Sequence, residues 1–213
     1  MADPGAASRS VPVAAIVVAG GGGRRLGGLD KPGLSRAGTT LLDVALGAVR
    51  PARDDVLATA VVVVGPPRPV PDGVVAVRED PPGGGPAAAV AAGVAALTRV
   101  GAPSGTDGPV VLLAADLPRL TAATVGRLVR ALTDEPGAGA AVLVDDTGRR
   151  QLLLAAWRAG ALRRAIDVLP DGGHGRPLRS LYDGVPVVEV PGRDDEWADV
   201  DTPDDRDRWW PAG

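Results

Sequence analysis

The chain has 213 residues, of which 45% are hydrophobic and none is cysteine, and its formal net charge is −3. These values predict one globular domain with a sizeable core, and they exclude disulfides, cysteine nucleophiles and cysteine metal sites. The negative net charge argues against general nucleic-acid binding. No apolar run approaches the length of a membrane span, and residues 1–10 lack the basic start and apolar stretch of a signal peptide. We therefore expect a disordered N-terminal arm at 1–10, a single domain at 11–213, no membrane contact and a cytoplasmic location.

The first predicted element is a buried strand that leads into a glycine-rich, cationic segment. Residues 13–32 read VAAIVVAGGGGRRLGGLDKP, and the apolar run is typical of a buried parallel strand. Glycines allow backbone N–H groups to approach an anion closely, and Arg24, Arg25 and Lys31 can neutralise phosphates. The segment matches neither the G-x-G-x-x-G fingerprint nor the P-loop sequence G-x-x-x-x-G-K-[ST]. It predicts a loop of another kind that wraps a nucleoside triphosphate; the alternative is a flexible glycine-rich turn.

The rest of the chain alternates between buried strands and amphipathic helices. Further strands are expected at 58–64, 74–77, 110–115, 138–144, 149–157 and 185–190. Helices are expected at 40–50, 86–99, 121–133 and 160–168, around Leu178, and after Thr202. This alternation predicts an α/β fold with a doubly wound, mostly parallel sheet, in which ligands bind beyond the carboxyl ends of the strands.

Carboxylates and a second glycine turn follow these strands. Asp116 comes directly after the most apolar predicted strand, and carboxylate oxygens suit Mg²⁺. Asp199 and Asp201 alternate along an extended segment and should point to the same side. The glycine turn at 83–85 precedes a helix N-terminus, where free N–H groups favour an anion. The alternatives are a loop or cap role for Asp116, an acidic segment that merely suits the helix dipole, and a tight connector at 83–85.

Three segments carry a family resemblance, and a fourth matches the same family in part. Residues 18–31 resemble the L-A-G-G-x-x-x-R-M-G-G-x-D-K signature of the molybdenum cofactor guanylyltransferases, which are MobA-like nucleotidyltransferases, with Val and Leu replacing the first Leu and the Met. Residues 116–118 match the D-x-P of that family, and residues 199–203 match its D-x-D-T-P. The segment at 79–89 keeps the family's E-D and G-P but ends in three alanines, and Gly65 stands where a related pattern has asparagine.

The resemblance implies a Rossmann-like nucleotidyltransferase fold and a Mg²⁺-dependent transfer of GMP from GTP to the terminal phosphate of the molybdopterin cofactor. It implies catalytic roles for Arg25, Lys31 and Asp116, and a metal site on Asp116 and Asp201. The nucleotide contacts that it implies are Val18, Ala19, Gly20, Gly21, Lys31, Asp80 and Asp116. It also implies molybdenum-cofactor assembly proteins and apo-molybdoenzymes as partners.

Other functions stay open at this point. A cytidylyltransferase for the same cofactor resembles L-A-A-G where this chain has Gly20-Gly21. Two further alternatives are guanylyl transfer to another small phosphate, such as a deazaflavin-cofactor precursor, and nucleotide binding without catalysis. Gln151 is expected either to contact the acceptor or to be structural, and His174, the single histidine, is expected to be a solvated loop residue.

Overall fold

The computed structural model describes residues 12–20, 30–50, 58–101 and 108–211. The expectations that fall outside these ranges are the N-terminal arm at 1–10 and most of the predicted triphosphate loop, with Arg24 and the predicted site residues Gly21 and Arg25.

The strands and helices follow the predicted alternation. The strands are β1 (Val13–Val18), β2 (Ser35–Arg36), β3 (Thr39–Thr40), β4 (Ala58–Val64), β5 (Val74–Val77), β6 (Pro109–Ala114), β7 (Ala140–Val144), β8 (Arg150–Arg158) and β9 (Val187–Pro191). The α-helices are α1 (Leu41–Val49), α2 (Pro86–Arg99), α3 (Ala122–Asp134), α4 (Ala159–Asp167) and α5 (Pro203–Trp209). Short 3-10 helices cover Lys31–Gly33, Pro170–Gly173 and Leu178–Tyr182, and the last of these is the helix predicted around Leu178.

Seven of these strands form one sheet in the order β5-β4-β1-β6-β8-β7-β9. The pairs β5–β4, β4–β1, β1–β6 and β7–β9 are parallel. Strand β8 runs antiparallel to both of its neighbours, β6 and β7. The α/β fold with a mostly parallel sheet is therefore confirmed, and the first residues of β8 lie at the same edge of the sheet as the carboxyl ends of the parallel strands.

Helices cover both faces of the sheet, which is why its central strands are apolar throughout. All six residues of β1 are buried. On one face, α1 and α3 contribute Leu42 and Leu128 to the core, and on the other face α2 and α4 contribute Val90 and Leu162. The predicted cap at Thr40 is present, because its hydroxyl oxygen accepts from the N–H of a first-turn residue of α1. Such a cap contributes about 1 kcal/mol to helix stability.

Within the described ranges, no helix is long and apolar enough to cross a membrane.

Candidate active site

Three carboxylates meet at the carboxyl edge of the sheet. Asp116 follows β6, whereas Asp199 and Asp201 lie just before α5. One oxygen of each carboxylate lies within 4.8 Å of an oxygen of the other two. Asp116 and Asp201 were predicted as metal ligands, and the structure adds Asp199 to the same cluster.

A buried residue between the two aspartates fixes their direction. Val200 is fully buried and packs against Leu41 and Trp210. Its N–H donates to the main-chain oxygen of Asp116 at 3.1 Å. Because alternate residues of an extended segment point to opposite sides, burial of Val200 turns both flanking carboxylates the other way. The alternation read from the sequence therefore gives the observed arrangement.

The helix after this segment begins with a reciprocal cap. The Thr202 hydroxyl oxygen accepts from the N–H of Asp205, and the Asp205 carboxylate accepts from the N–H of Thr202 at 2.8 Å. The hydrogen bond from the Thr202 hydroxyl lowers the pKa of Asp205. Asp205 thus stays ionised as a helix cap, which holds the segment that carries Asp201 in place.

The segment is also held from its other end by a buried ion pair. Glu196 is 5% exposed, and its carboxylate accepts from the Arg127 guanidinium, from the Thr124 hydroxyl and from the N–H of Arg193. Since Arg127 and Thr124 belong to α3, this network ties that helix to the chain three residues before Asp199. Sequence analysis missed it, because the partners are far apart in sequence.

Burial and mutual repulsion disfavour the ionised forms of these carboxylates when no cation balances their charge. Burial raises the pKa of Asp116 to about 6; the Lys31 ammonium opposes this shift, while Asp199 and Asp201 add to it. The pKa of Asp199 is raised too, first by burial and then by Asp201. A site made of carboxylate oxygens whose ionised forms need a counterion fits a hard divalent cation such as Mg²⁺. The residues present therefore fit the metal that the family resemblance implies.

Lys31 contributes a positive charge to this cluster. It begins the 3-10 helix Lys31–Gly33, and its ammonium forms an ion pair with Asp201 and lies 3.9 Å from Asp116 Oδ2. Its side chain is 16% exposed, so this lysine is largely buried. Sequence reasoning assigned Lys31 to phosphate and the aspartates to metal. The structure brings these predicted site residues together at one point.

The ends of β1 and β4 come close to each other next to this cluster. The N–H of Ala19 donates to the Val64 oxygen at 2.7 Å, which extends the strand pairing by one residue. A Cβ on Gly65 would stand only 2.5 Å from the Ala19 carbonyl oxygen. A side chain at Gly65 would therefore clash with the backbone at the end of β1. A Cβ on Gly20 would instead meet the Gly65 Cα at 3.6 Å, an ordinary contact.

Arg68 is a site residue that sequence analysis did not single out. Its guanidinium donates to the Ala19 oxygen at 3.0 Å and to both carboxylate oxygens of Asp30, at 2.9 and 3.2 Å. The available signal was its position in the loop after β4, at the edge where ligands bind.

The second glycine turn forms the other end of this edge. Asp80 follows β5, and β5 lies three strand spacings from β6, which Asp116 follows, so the two strands are about 14 Å apart at roughly 4.8 Å per spacing. The loop that contains His174 packs on this turn, because the N–H of Gly175 donates to the Gly84 oxygen at 2.8 Å. A Cβ on Gly84 would stand 2.8 Å from His174 Nδ1, although His174 itself is exposed as expected.

Gln151 has a structural partner. Its amide nitrogen donates to Asp145 Oδ2 at 2.9 Å, and the other oxygen of Asp145 accepts from Thr147 within the same turn. The Thr147 hydroxyl is the first cause of the lowered pKa of Asp145. Of the two roles that the sequence left open for Gln151, this contact favours the structural one.

Comparisons with known proteins agree with this fold. A family model described as the MobA-like NTP transferase domain matches residues 15–187. No curated protein sequence matches the chain. A solved structure from Mycobacterium sp. strain JC1, a homologue of Mycobacterium tuberculosis Rv0371c, is 26% identical with a TM-score of 0.64, and the match covers 94% of each chain.

Two further solved structures share the fold. Molybdopterin-guanine dinucleotide biosynthesis protein A from Archaeoglobus fulgidus is 23% identical with a TM-score of 0.63, and the match covers 91% of this chain and 95% of that one. The 2-C-methyl-D-erythritol 4-phosphate cytidylyltransferase of Thermus thermophilus is 22% identical with a TM-score of 0.61 and the same two coverages, 91% and 95%. Since the family model spans most of the chain and the fold agrees with these structures, the protein belongs to the MobA-like NTP transferase domain family and is a nucleotidyltransferase.

Proposed function

We propose that this protein transfers GMP from GTP to the terminal phosphate of the molybdopterin cofactor and releases pyrophosphate. The observation that carries the proposal is the meeting of Lys31 with Asp116 and Asp201 at one edge of the sheet. Lys31 closes the segment at 18–31 that resembles the guanylyltransferase signature. A cation beside several carboxylates suits chemistry in which negative charge moves between phosphates.

The reaction needs positioning and charge neutralisation more than a protein nucleophile. An oxygen of the acceptor phosphate attacks the α-phosphorus of GTP, the bond between that phosphorus and the bridging oxygen breaks, and pyrophosphate leaves. In this proposal Lys31 and Arg25 hold the phosphates, and Asp116 and Asp201 hold Mg²⁺. Bound Mg²⁺ would neutralise part of the triphosphate charge.

The nucleotide is proposed to lie across the carboxyl ends of the strands. Backbone groups of Val18, Ala19, Gly20 and Gly21 would meet the nucleotide at the end of β1, and Asp80 would meet the base or ribose beyond β5. The separation of about 14 Å between β5 and β6, after which Asp80 and Asp116 follow, suits an extended nucleotide whose base and phosphates contact opposite ends of the site. The domain at 11–213 would then contain the whole nucleotide site.

The preference for guanine rests on space near Gly20. Because a methyl group at Gly20 would make only ordinary contacts with Gly65, the packing of the chain itself tolerates alanine there. We take the glycine to leave room for the backbone to approach a purine. The molybdopterin acceptor, the assembly proteins and the apo-molybdoenzymes remain parts of the proposal that the family resemblance supports.

Pyrophosphate release with each nucleotide and acceptor tests this function. Mg²⁺-GTP with molybdopterin should give rapid release, and CTP with molybdopterin or GTP without an acceptor should give little. Asp116→Asn should lose most of the turnover, whereas Asp134→Asn, which changes an exposed residue at the far end of α3, should keep it. A preference for CTP would replace guanylyl by cytidylyl transfer, and no release with either nucleotide would contradict the proposal.

A further inference from the structure

One buried arginine connects two separate parts of the candidate nucleotide site. Nη2 of Arg68 donates to the Ala19 oxygen at 3.0 Å and to Asp30 Oδ1 at 2.9 Å, and Nη1 donates to Asp30 Oδ2 at 3.2 Å. The Arg68 side chain is only 10% exposed. A single guanidinium therefore ties the end of β1 to the residue that immediately precedes Lys31.

The Asp30 carboxylate in turn determines the turn that carries Lys31. A Cβ on Gly33 would stand 2.5 Å from Asp30 Oδ2, so the carboxylate lies directly over this glycine. The N–H of Gly33 donates to the Asp30 oxygen at 3.1 Å, and the N–H of Leu34 donates to the Lys31 oxygen at 2.9 Å. A shift of the Asp30 carboxylate should therefore move the 3-10 helix from which Lys31 extends to the aspartate cluster.

The burial of Arg68 is hard to explain by stability alone. Its Nε is buried and has no hydrogen-bond partner within the described ranges. A buried donor without a partner opposes folding, and an ion pair whose carboxylate is 62% exposed contributes little to stability. The planar guanidinium of arginine can bind a carbonyl and a carboxylate at once, and an apolar residue cannot.

We propose that Arg68 is a positioning residue for nucleotide binding, which holds Ala19 and Lys31 at the spacing that a bound triphosphate requires. This inference rests on the proposed nucleotidyl transfer, and it assigns Arg68 no contact with the reacting atoms. Arg68 acts through Asp30 on Lys31 and through the Ala19 carbonyl on the end of β1. Its effect should therefore concern the phosphates, which all nucleoside triphosphates share, and not the base.

Equilibrium binding without an acceptor tests the inference apart from the transfer reaction. The probes are GTP, CTP and inorganic tripolyphosphate, each with Mg²⁺. Arg68→Met should lower the affinity for every probe that the wild type binds, and by the same factor of about tenfold or more. This is the loss expected for a hydrogen bond to a charged group. Arg68→Lys should bind almost as weakly as Arg68→Met, because an ammonium keeps the charge but not the planar guanidinium.

A matched control comes from the opposite edge of the sheet. The Arg158 guanidinium likewise makes three hydrogen bonds, here to the backbone oxygens of Leu132, Glu135 and Ala138, and so ties the end of β8 to the end of α3. Arg158→Met should affect stability in a comparable way but leave the affinity for all three probes unchanged. A comparable loss of affinity in this variant would show that Arg68 acts only through general stability, and would overturn the inference.

Gly33→Ala tests the geometry without removing a charge. The new methyl group would meet the far end of the Asp30 side chain, so the carboxylate should move off Arg68 while the fold is kept. The same uniform loss of affinity is expected, even if Arg68→Met fails to fold. Normal binding by Gly33→Ala, or a loss in Arg68→Met that depends on the base, would overturn the inference while the proposed function stands. A wild type that binds none of the probes would overturn both.

Discussion

Asp116→Asn should stabilise the protein when metal is removed, although it should lose most of the proposed turnover. Burial and the neighbouring carboxylates raise the pKa of Asp116 from 3.8 to about 6. The ionised form is therefore less favourable in the folded than in the unfolded chain, by about 1.4 kcal/mol for each pKa unit. At neutral pH the whole pKa shift corresponds to about 3 kcal/mol of lost stability. Because the Asp116 side chain is 25% exposed, we expect Asp116→Asn to raise the free energy of unfolding by about 1–3 kcal/mol.

The gain should depend on pH in a defined direction. Below pH 3.8 Asp116 is protonated in both states, and its raised pKa then costs no stability. The penalty grows as the pH rises from 3.8 to about 6 and is complete above that range. The difference in the free energy of unfolding between Asp116→Asn and the wild type should therefore be largest at pH 7.5 and small at pH 4.

Urea and thermal unfolding in EDTA at pH 7.5, 5 and 4 would measure this difference. A domain of this size should gain about 2–4 °C in Tm for each kcal/mol. Asp146→Asn, at an exposed turn, is the control and should show no gain. Added Mg²⁺ should stabilise the wild type but not Asp116→Asn. The reasoning is refuted if the variant gains nothing at pH 7.5, or gains as much at pH 4 as at pH 7.5.

Three further changes test the packing around the site. Lys31→Ala should lower turnover by about tenfold to a thousandfold and, in EDTA, lower the Tm, because the ion pair between Lys31 and Asp201 is lost; pyrophosphate release and thermal unfolding measure the two effects. Gly65→Ala should cost about 1–3 kcal/mol in urea unfolding, since its Cβ meets a backbone oxygen, whereas Gly47→Ala in open space on α1 should be neutral or stabilising. Glu196→Gln should cost about 3–5 kcal/mol in the same assay, because it leaves Arg127 without a buried charge partner.

Local signals were sufficient to predict most of the fold. Uninterrupted apolar runs such as 61–64 are buried because helices cover both faces of the sheet, and the Thr40 cap forms from residues three positions apart. The direction of β8 was not predictable in the same way. Its apolar pattern is the same whether it runs parallel or antiparallel, and only its pairing with β6 and β7 decides the direction.

The candidate site shows the same division between local and long-range information. The direction of Asp199 and Asp201 follows from alternation along one segment, and it was predicted. The ion pair between Lys31 and Asp201 joins distant parts of the chain, and the sequence near either residue does not predict it. Arg68 is similar, because a cation in a proline-rich loop gives no sign of the carbonyl and carboxylate that it binds.

Charge at the site leads to a last prediction, which concerns metal and nucleotide together. Asp116, Asp199 and Asp201 lie close to one another, and the Lys31 ammonium partly neutralises them. A divalent cation bound by these carboxylates would compete with Lys31, and a triphosphate would offer the displaced ammonium a new partner.

Binding of Mn²⁺ and of tripolyphosphate should therefore be cooperative, each strengthening the binding of the other by about fivefold or more. Mn²⁺ titrations with and without tripolyphosphate measure the coupling, and Lys31→Ala should reduce it because the competing ammonium is gone. Equal Mn²⁺ affinity in both titrations of the wild type would show that Lys31 does not link the two ligands.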